Sequence, residues 1–244
     1  MEKFLEVLPD KPSLIQRALA LTLEKLQAAI DERGQCTLAL SGGSTPKPLY
    51  EAMANQDFPW EKLHIFWGDE RYVSPDHPDS NQRMARQAWL NRVPIPAENI
   101  HPMPTEGESA MADAMAYEQD ITHFFDTSAA TFPRFDLILL GMGDDGHTAS
   151  LFPKTEALSV RDRLITVGEK DTQPRLTFTV PLLNQARCVL FLVAGNNKCP
   201  ALAQVFASEA DSSLYPSRLI QPKGEMWWLL DAAAGSQLSP PISS

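Results

Sequence analysis

The sequence predicts a Rossmann-like α/β fold, in which helices cover both faces of a mostly parallel sheet. Apolar runs rich in Leu and β-branched residues recur along the chain, and amphipathic stretches lie between them. Near-continuous hydrophobicity of this kind marks strands that are buried on both faces. The runs cover residues 36–41, 64–70, 135–141, 163–167, 188–195 and 225–231.

The amphipathic stretches predict helices that alternate with these strands. They cover residues 13–34, 46–55, 81–92, 109–126 and 196–208. The first closes on Gly34, a residue type that often ends a helix. Because strands and helices alternate, we expect the strands to run parallel, with helices packed on both sides of the sheet.

The domain organisation is expected to be simple. No internal repeat is visible, and the Pro-rich stretches at 92–104 and 216–222 are too short to separate independent domains. Residues 1–244 are therefore predicted to form a single domain, with 236–244 as a flexible tail.

Composition and charge exclude several classes of partner. A hydrophobic share of 43% and a charged share of 21% are near the globular average, so a soluble protein with a sizeable core is expected. The net charge of −10 argues against nucleic acids and anionic membranes, which both require a basic face. The first residues resemble no secretory or transit signal, so a cytoplasmic location is expected. We also expect a monomer whose partner is a small molecule.

The three cysteines, Cys36, Cys188 and Cys199, do not predict a disulfide framework or a Cys-based metal site, because they cannot all pair and two lie in apolar runs.

A small-residue loop follows the first predicted strand. In SGGSTP, Ser41 and Gly42–Gly43 come directly after the strand, and Ser44, Thr45 and a proline precede a helix. Small residues let backbone N–H groups approach an anion, so the loop favours a phosphate site. The alternative is a tight turn with Ser44 or Thr45 as the N-cap of the helix, and both interpretations can hold together.

The second predicted strand ends in the charged motif GDERYV. Asp69 and Glu70 could bind sugar hydroxyls or move a proton, and the planar guanidinium of Arg71 could bind a carboxylate or phosphate. The alternative is a solvated turn. Ligands bind at the carboxyl ends of strands in sheets of this type, which favours the functional interpretation.

The segment GMGDDGHTASLFP follows the third predicted strand and contains His147. A neutral imidazole is the usual general base near neutral pH, although a lone histidine is more often an ordinary packed or surface side chain. No HxxxH, HxH or Cys/His spacing accompanies it, so no metal is expected. GxSxG is absent, so direct attack by an activated water is simpler than a serine nucleophile.

Two cations lie in later segments. Arg175 occurs in QPRLTFTVPLLNQA, and Lys198 lies in the first turn of a predicted helix. Because a cation near a helix N-terminus is locally unfavourable, Lys198 suggests a bound anion. The alternative is that Lys198 points to solvent.

Seven segments together resemble the 6-phosphogluconolactonase family, which belongs to a group that also contains glucosamine-6-phosphate deaminase. They are SGGSTP, FWGDERYV, the Ser-Asn pair at 80–81, LGMGDDGHTASLFP, PRLTFTVPLLNQA, the Gly–Lys segment at 195–198 and WWLLDAAA. Their order and spacing, through nearly the whole chain, make the resemblance specific. It implies a cofactor- and metal-independent hydrolase of 6-phospho-D-glucono-1,5-lactone in the oxidative pentose phosphate pathway.

The resemblance also implies roles for individual residues. His147 would activate water, and Asp145 would orient the imidazole of His147, although Asp144 competes for that role. Arg71, with Asp69 nearby, would stabilise developing negative charge or hold the substrate. The 6-phosphate would be held by Ser41, Gly42, Gly43, Ser44, Thr45, Arg175 and Lys198.

Two alternative functions remain open at this point. The deaminases share the small-residue loop and the Asp-Gly-His stretch, but they carry an acidic residue shortly after the histidine, where this chain has Phe152 and Pro153. The second alternative is a non-catalytic sugar-phosphate sensor, against which the presence of both Asp145 and His147 speaks.

Overall fold

A parallel six-stranded sheet is the framework of the computed structural model, which describes residues 2–127 and 131–238. The strands of the chain are β1 (Glu2–Leu8), β2 (Cys36–Leu40), β3 (Leu63–Trp67), β4 (Asp69–Arg71), β5 (Leu137–Leu140), β6 (Ile165–Lys170), β7 (Gln173–Phe178), β8 (Cys188–Val193) and β9 (Glu225–Asp231). The parallel sheet has the order β1-β9-β8-β5-β2-β3, and an antiparallel sheet has the order β4-β7-β6. The predicted fold class is confirmed.

The helices that connect these strands begin and end at recognisable residues. They are α1 (Lys11–Arg33), α2 (Lys47–Met53), α3 (Asn81–Ala88), α4 (Ala110–Phe124), α5 (Val180–Gln185), α6 (Cys199–Phe206) and α7 (Ala232–Gly235). The Asp10 carboxylate accepts a hydrogen bond from the Ser13 N–H at 2.8 Å and caps α1. Gly34 adopts a φ of 80° and ends α1, as the sequence predicts.

The second predicted strand, residues 64–70, is in fact two strands. It divides at Gly68, so that β3 lies in the parallel sheet and β4 in the antiparallel sheet. The Gly68 N–H donates to the Leu40 carbonyl at 2.9 Å, and its carbonyl accepts from the Phe178 N–H at 2.8 Å. Gly68 therefore bridges the two sheets.

Three further strand assignments differ from the prediction. The run at 163–167 becomes β6 in the antiparallel sheet, whereas β1 and β7 were not predicted. Both missed strands are partly exposed along their length, because β1 lies at the edge of its sheet and β7 has polar residues at its start. A search for continuous apolar runs finds strands buried on both faces and misses such strands.

Smaller corrections concern the ends of helices and the tail. The helix predicted over 81–92 ends at Ala88 and is followed by a 3₁₀ turn, and the one predicted over 196–208 opens with a 3₁₀ turn at Asn196–Lys198. In the predicted tail, Leu238 packs against the core, and residues 239–244 lie outside the described residues.

One contiguous core joins both sheets, and Phe191 and Trp228 stack within it at 3.8 Å between ring centroids. All three cysteines are buried, and none forms a disulfide among the described residues. None of the helices in the described part of the chain combines the length and the apolar character needed to cross a membrane.

A histidine pair lies at the outer strand of the parallel sheet, away from the carboxyl ends of the strands. His64 Nδ1 and His101 Nε2 are 3.3 Å apart, and the His101 ring stacks on Phe66 at 4.3 Å. Burial and then the neighbouring His64 lower the pKa of His101 to about 4, and burial lowers the pKa of His64. Both imidazoles are therefore neutral in the folded protein near neutral pH.

This pair predicts a loss of stability in mild acid. An unfolded histidine titrates at a pH of about 6.5, and folded His101 at about 4. Between these two values His101 binds a proton in the unfolded chain but not in the folded protein, so the folded state loses stability as the pH falls. The unfolding temperature of the wild type should therefore fall more steeply across this range than that of His101→Phe, measured by calorimetry. Parallel curves for the two proteins would contradict the prediction, since the carboxylates that also titrate there are common to both.

Candidate active site

A cleft of about 450 Å³ opens where β2, β5 and β8 end and the antiparallel sheet begins. It lies at the carboxyl ends of the parallel strands, as the sequence predicts. Its walls come from the SGGSTP loop, the GMGDDGH loop, the segment after β8, and the antiparallel sheet. Of the eleven predicted site residues, ten line this cleft: Ser41, Gly42, Gly43, Ser44, Thr45, Asp69, Arg71, His147, Arg175 and Lys198.

The eleventh, Asp145, lies against His147. An Asp145 carboxylate oxygen is 2.5 Å from His147 Nδ1 and also accepts a hydrogen bond from the His147 backbone N–H at 3.1 Å. Burial of Asp145 opposes its ionisation, but the hydrogen bonds from His147 outweigh that effect and lower the pKa of the carboxyl group to about 2. Because a carboxylate can only accept, the proton of a neutral imidazole lies on Nδ1 and Nε2 is the basic nitrogen.

The loop that carries this pair closes on itself. The Gly143 N–H donates to the His147 carbonyl at 2.8 Å, and Gly146 turns the chain with a φ of 81°. The Ser217 N–H and hydroxyl both donate to the Gly146 carbonyl, which fixes the loop from outside. A Cβ at position 143 would lie 2.1 Å from His147 Nδ1, so the pair needs glycine there.

Asp69 is a buried carboxyl group on the wall of the cleft. It accepts a hydrogen bond from the Ser150 hydroxyl at 2.8 Å. Burial raises the pKa of Asp69, and this effect exceeds the opposing ones of the Ser150 hydrogen bond and of the nearby Arg71, Arg175 and His147 side chains. The site thus holds two carboxyl groups whose environments shift their pKa in opposite directions, a pattern found at catalytic sites.

Two arginines meet on this wall, because Arg71 of β4 and Arg175 of β7 are directly opposite in the antiparallel ladder. Arg71 donates to the Asp79 carbonyl at 2.6 Å, but the buried Nε atoms of both arginines lack a hydrogen-bond partner among the described residues. Burial, and then the charge of Arg71, lower the pKa of Arg175. An anion between the guanidinium groups would offset this repulsion and satisfy both donors.

The SGGSTP loop forms the opposite wall. The Tyr50 hydroxyl lies 3.1 Å from the Ser41 N–H and donates to the Ser41 carbonyl at 2.8 Å, which anchors the start of the loop. Gly43 has a φ of 104°, a conformation that side chains disfavour. Neither Ser44 nor Thr45 caps α2: its N-cap is Pro46 and no side chain bonds there, so the alternative role considered for these hydroxyls is wrong.

Lys198 enters the cleft from the 3₁₀ turn that precedes α6. The turn follows Gly195, whose N–H donates to the Asp231 carboxylate at 3.0 Å and whose φ is 99°. Lys198 is therefore positioned by a loop tied to the next strand, and it is half-buried and lines the cleft.

Glu70 does not reach the cleft, in contrast to the role suggested for it by the sequence. It is buried, and its carboxylate accepts hydrogen bonds from the Arg71, Asn81 and Gln82 N–H groups at 2.7–2.8 Å. It therefore caps the N-terminus of α3. Burial raises the pKa of Glu70, and these hydrogen bonds oppose the effect.

The structure adds residues that the sequence did not single out. Asn81 lines the cleft, donates to the Asp69 carbonyl at 3.0 Å, and lies where a Cβ on Gly42 would clash with it. Lys170 and Asn197 also line the cleft. Asp144, which the sequence offered as the alternative to Asp145, lines the cleft as well, but the carboxylate in contact with His147 Nδ1 is that of Asp145. The Ser-Asn pair at 80–81 was the sequence signal that could have identified Asn81. Lys170 had no such signal, because its place at the cleft depends on the pairing of β6 with β7, which was not predicted.

A second depression of about 530 Å³ lies between α2 and α3, lined by residues such as Lys47, Glu51 and Arg83. Its described lining includes no His, Asp or Cys, whereas the first cleft contains the predicted histidine and carboxylates. No group of three or more His, Cys, Asp or Glu side chains within residues 2–127 and 131–238 could hold a metal ion.

Fold and site together define an α/β protein that places a histidine–carboxylate pair in a cationic cleft. The family model for glucosamine-6-phosphate isomerases/6-phosphogluconolactonase matches residues 9–228. The chain is 64% identical over 239 residues to 6-phosphogluconolactonase of Nostoc sp., covering 98% of this chain and 100% of the relative. It is 64% identical over 235 residues to that of Synechocystis sp., covering 96% and 98%.

A solved structure agrees with these relatives. The 6-phosphogluconolactonase from Thermotoga maritima superposes with a TM-score of 0.83 at 31% identity, covering 94% of this chain and 100% of that one. The chain therefore belongs to the glucosamine-6-phosphate isomerase/6-phosphogluconolactonase family.

The packing of Gly143 predicts how the histidine pair can be broken. Gly143→Ala forces the added methyl group against His147 Nδ1 and the Asp145 carboxylate, so the two side chains must separate. We expect the ¹⁵N NMR spectrum of the imidazole to change from one dominant tautomer to a mixture. Gly141→Ala is the matched control, because nothing lies within 4 Å of a Cβ there. An unchanged tautomer in Gly143→Ala would refute this account of the loop.

Proposed function

We propose that this chain hydrolyses 6-phospho-D-glucono-1,5-lactone to 6-phosphogluconate, with His147 as the general base. The observation that carries the proposal is the contact between Asp145 and His147 Nδ1, which leaves Nε2 as the basic nitrogen at a cationic cleft. The relatives named 6-phosphogluconolactonase support the choice of substrate.

The proposed reaction begins with a water molecule bound to His147 Nε2. The water attacks the lactone carbonyl while its proton passes to Nε2, and the resulting imidazolium is stabilised by the ionised Asp145. The carbonyl oxygen becomes an oxyanion, which the Arg71 guanidinium stabilises. Collapse of the tetrahedral intermediate breaks the ring C–O bond, and the ring oxygen takes the proton from the imidazolium.

The phosphate of the substrate is proposed to lie between the two cationic walls. The SGGSTP loop and Lys198 supply donors from one side, and Arg175 supplies a partly buried guanidinium from the other. Asp69 is proposed to hold the orientation of this wall through Ser150. We also propose that residues 1–244 act as one domain, because a contiguous core joins both sheets.

Removal of the imidazole tests the chemistry. His147→Ala should lose about 10²- to 10⁴-fold in kcat, the usual contribution of a general base, while 6-phosphogluconate still binds. Turnover is measured over the spontaneous hydrolysis of the lactone, with excess 6-phosphogluconate dehydrogenase reporting product as NADPH. Unchanged turnover would remove His147 from the mechanism.

Background rates from the folded wild type would refute the lactonase proposal itself. Deamination of glucosamine 6-phosphate would then be the activity to measure. Binding of 6-phosphogluconate without either activity would indicate a non-catalytic sugar-phosphate sensor.

The phosphate site predicts a separate effect on substrate affinity. Lys198→Gln removes a charge-assisted hydrogen bond to phosphate and should raise KM by about 10- to 100-fold with a much smaller change in kcat. Lys62→Gln, which changes an exposed lysine outside the cleft, is the matched control and should leave KM unaltered. Equal KM values in the two variants would exclude Lys198 from phosphate binding.

A further inference from the structure

Phe152 occupies an unusual position between the histidine and the cations of the site. Its ring centroid lies 4.6 Å from that of His147, 5.5 Å from the Arg175 guanidinium carbon and 5.7 Å from the Lys170 ammonium nitrogen. The side chain is 5% exposed, yet it does not belong to the contiguous hydrophobic core of the described residues. Its described ring contacts are thus with the imidazole and the two cations.

A tight turn brings Phe152 back onto His147. The Thr148 hydroxyl donates to the Gly141 carbonyl at 2.8 Å, and the Leu151 N–H donates to the Thr148 carbonyl at 3.0 Å. Between them Ala149 adopts a φ of 48°, which costs about 1 kcal/mol or more for a residue with a side chain. The surrounding contacts thus hold a strained turn, which returns the chain within five residues.

The same turn is docked on the antiparallel sheet. The Ser150 N–H donates to the Thr177 hydroxyl at 3.2 Å, and the Ser150 carbonyl lies 2.1 Å from where a Cβ on Gly168 would be. Gly168 is paired with Arg175 across β6 and β7. The close approach that glycine permits therefore brings Phe152 next to the cations of this hairpin.

The aromatic ring can act on its two neighbours in different ways. A cation within about 6 Å of a ring centroid is attracted by the ring quadrupole, and the attraction grows when the cation is partly desolvated, as Arg175 is. Towards His147 the ring presents an apolar surface against which the imidazole packs, with the ring centroids 4.6 Å apart. One side chain therefore contacts both the proposed base, His147, and Arg175, which is proposed to bind the phosphate.

We propose that Phe152 is a positioning residue that holds the His147 imidazole and the cations Arg175 and Lys170 in their working arrangement. The proposal rests on the proposed lactonase function. It implies that loss of the ring lowers kcat through His147 and raises KM through the cations, although Phe152 itself forms and breaks no bond. It also makes Lys170 part of the substrate site.

The test replaces the ring by an aliphatic side chain. Phe152→Leu keeps an apolar residue of similar size but removes the π face, so kcat should fall about tenfold or more and KM should rise about three- to tenfold. The Nδ1–H proton of His147 should also exchange faster with water by NMR. The matched control is Phe206→Leu. The Lys3 ammonium nitrogen lies 4.6 Å from the centroid of the Phe206 ring, so Phe206 also contacts a cation, but it lies outside the cleft.

A second variant keeps the test decisive if Phe152→Leu does not fold. Lys170→Met leaves the ring in place and removes one cation, so KM should rise and kcat should stay within twofold of wild type. Unchanged KM in this variant, or changes in Phe152→Leu no larger than those in Phe206→Leu, would overturn the proposal.

Binding of inorganic phosphate, measured by calorimetry, separates this proposal from the lactonase function. If the wild type lacks lactonase activity, weaker phosphate binding and faster His147 exchange in Phe152→Leu would still support the positioning role. Normal phosphate binding together with normal exchange in that variant would overturn it, whatever the enzyme catalyses.

Discussion

The arrangement of the site depends on Gly68, the residue at which the chain leaves the parallel sheet. Its N–H bonds to the strand before the SGGSTP loop and its carbonyl accepts from the end of β7. These two hydrogen bonds fix the start of the antiparallel sheet against the carboxyl ends of the parallel strands, and the hydrogen bonds of Ser150 to Asp69 and Thr177 add to them. Arg71 and Arg175 consequently face the loops that carry His147 and Lys198. The two arginines come from the antiparallel sheet and His147 follows a strand of the parallel sheet, so this junction determines how they face each other.

Charge is distributed unevenly in this protein. The chain carries a net charge of −10, yet Arg71, Arg175, Lys170 and Lys198 converge on one cleft. Two of the carboxyl groups at this site have opposite environments: Asp145 is held ionised by His147, and Asp69 is buried with a raised pKa. Such local concentration of cations attracts an anionic small molecule.

Much of the site could be predicted because its parts are local in sequence. Asp145 and Gly146 immediately precede His147, and Ser41–Thr45 form one loop, so residue types and spacing were informative. The roles of Glu70 and Phe152 could not be predicted in this way. A carboxylate in a charged motif looks the same whether it faces substrate or caps a helix, and Glu70 does the latter. Phe152 looks like an ordinary core residue until its neighbours are known.

The sequence by itself determined the parallel α/β framework, the loops at its carboxyl edge and the adjacent carboxylate and imidazole, because hydrophobic periodicity and short motifs are encoded within a few residues. Only the tertiary structure decided that residues 64–70 divide between two sheets, that Arg71 lies opposite Arg175 and that Phe152 touches both His147 and the hairpin cations. Arg71 and Arg175 lie far apart in sequence, and they meet because β4 pairs with β7, a choice of partner strand that no pattern within a few residues specifies.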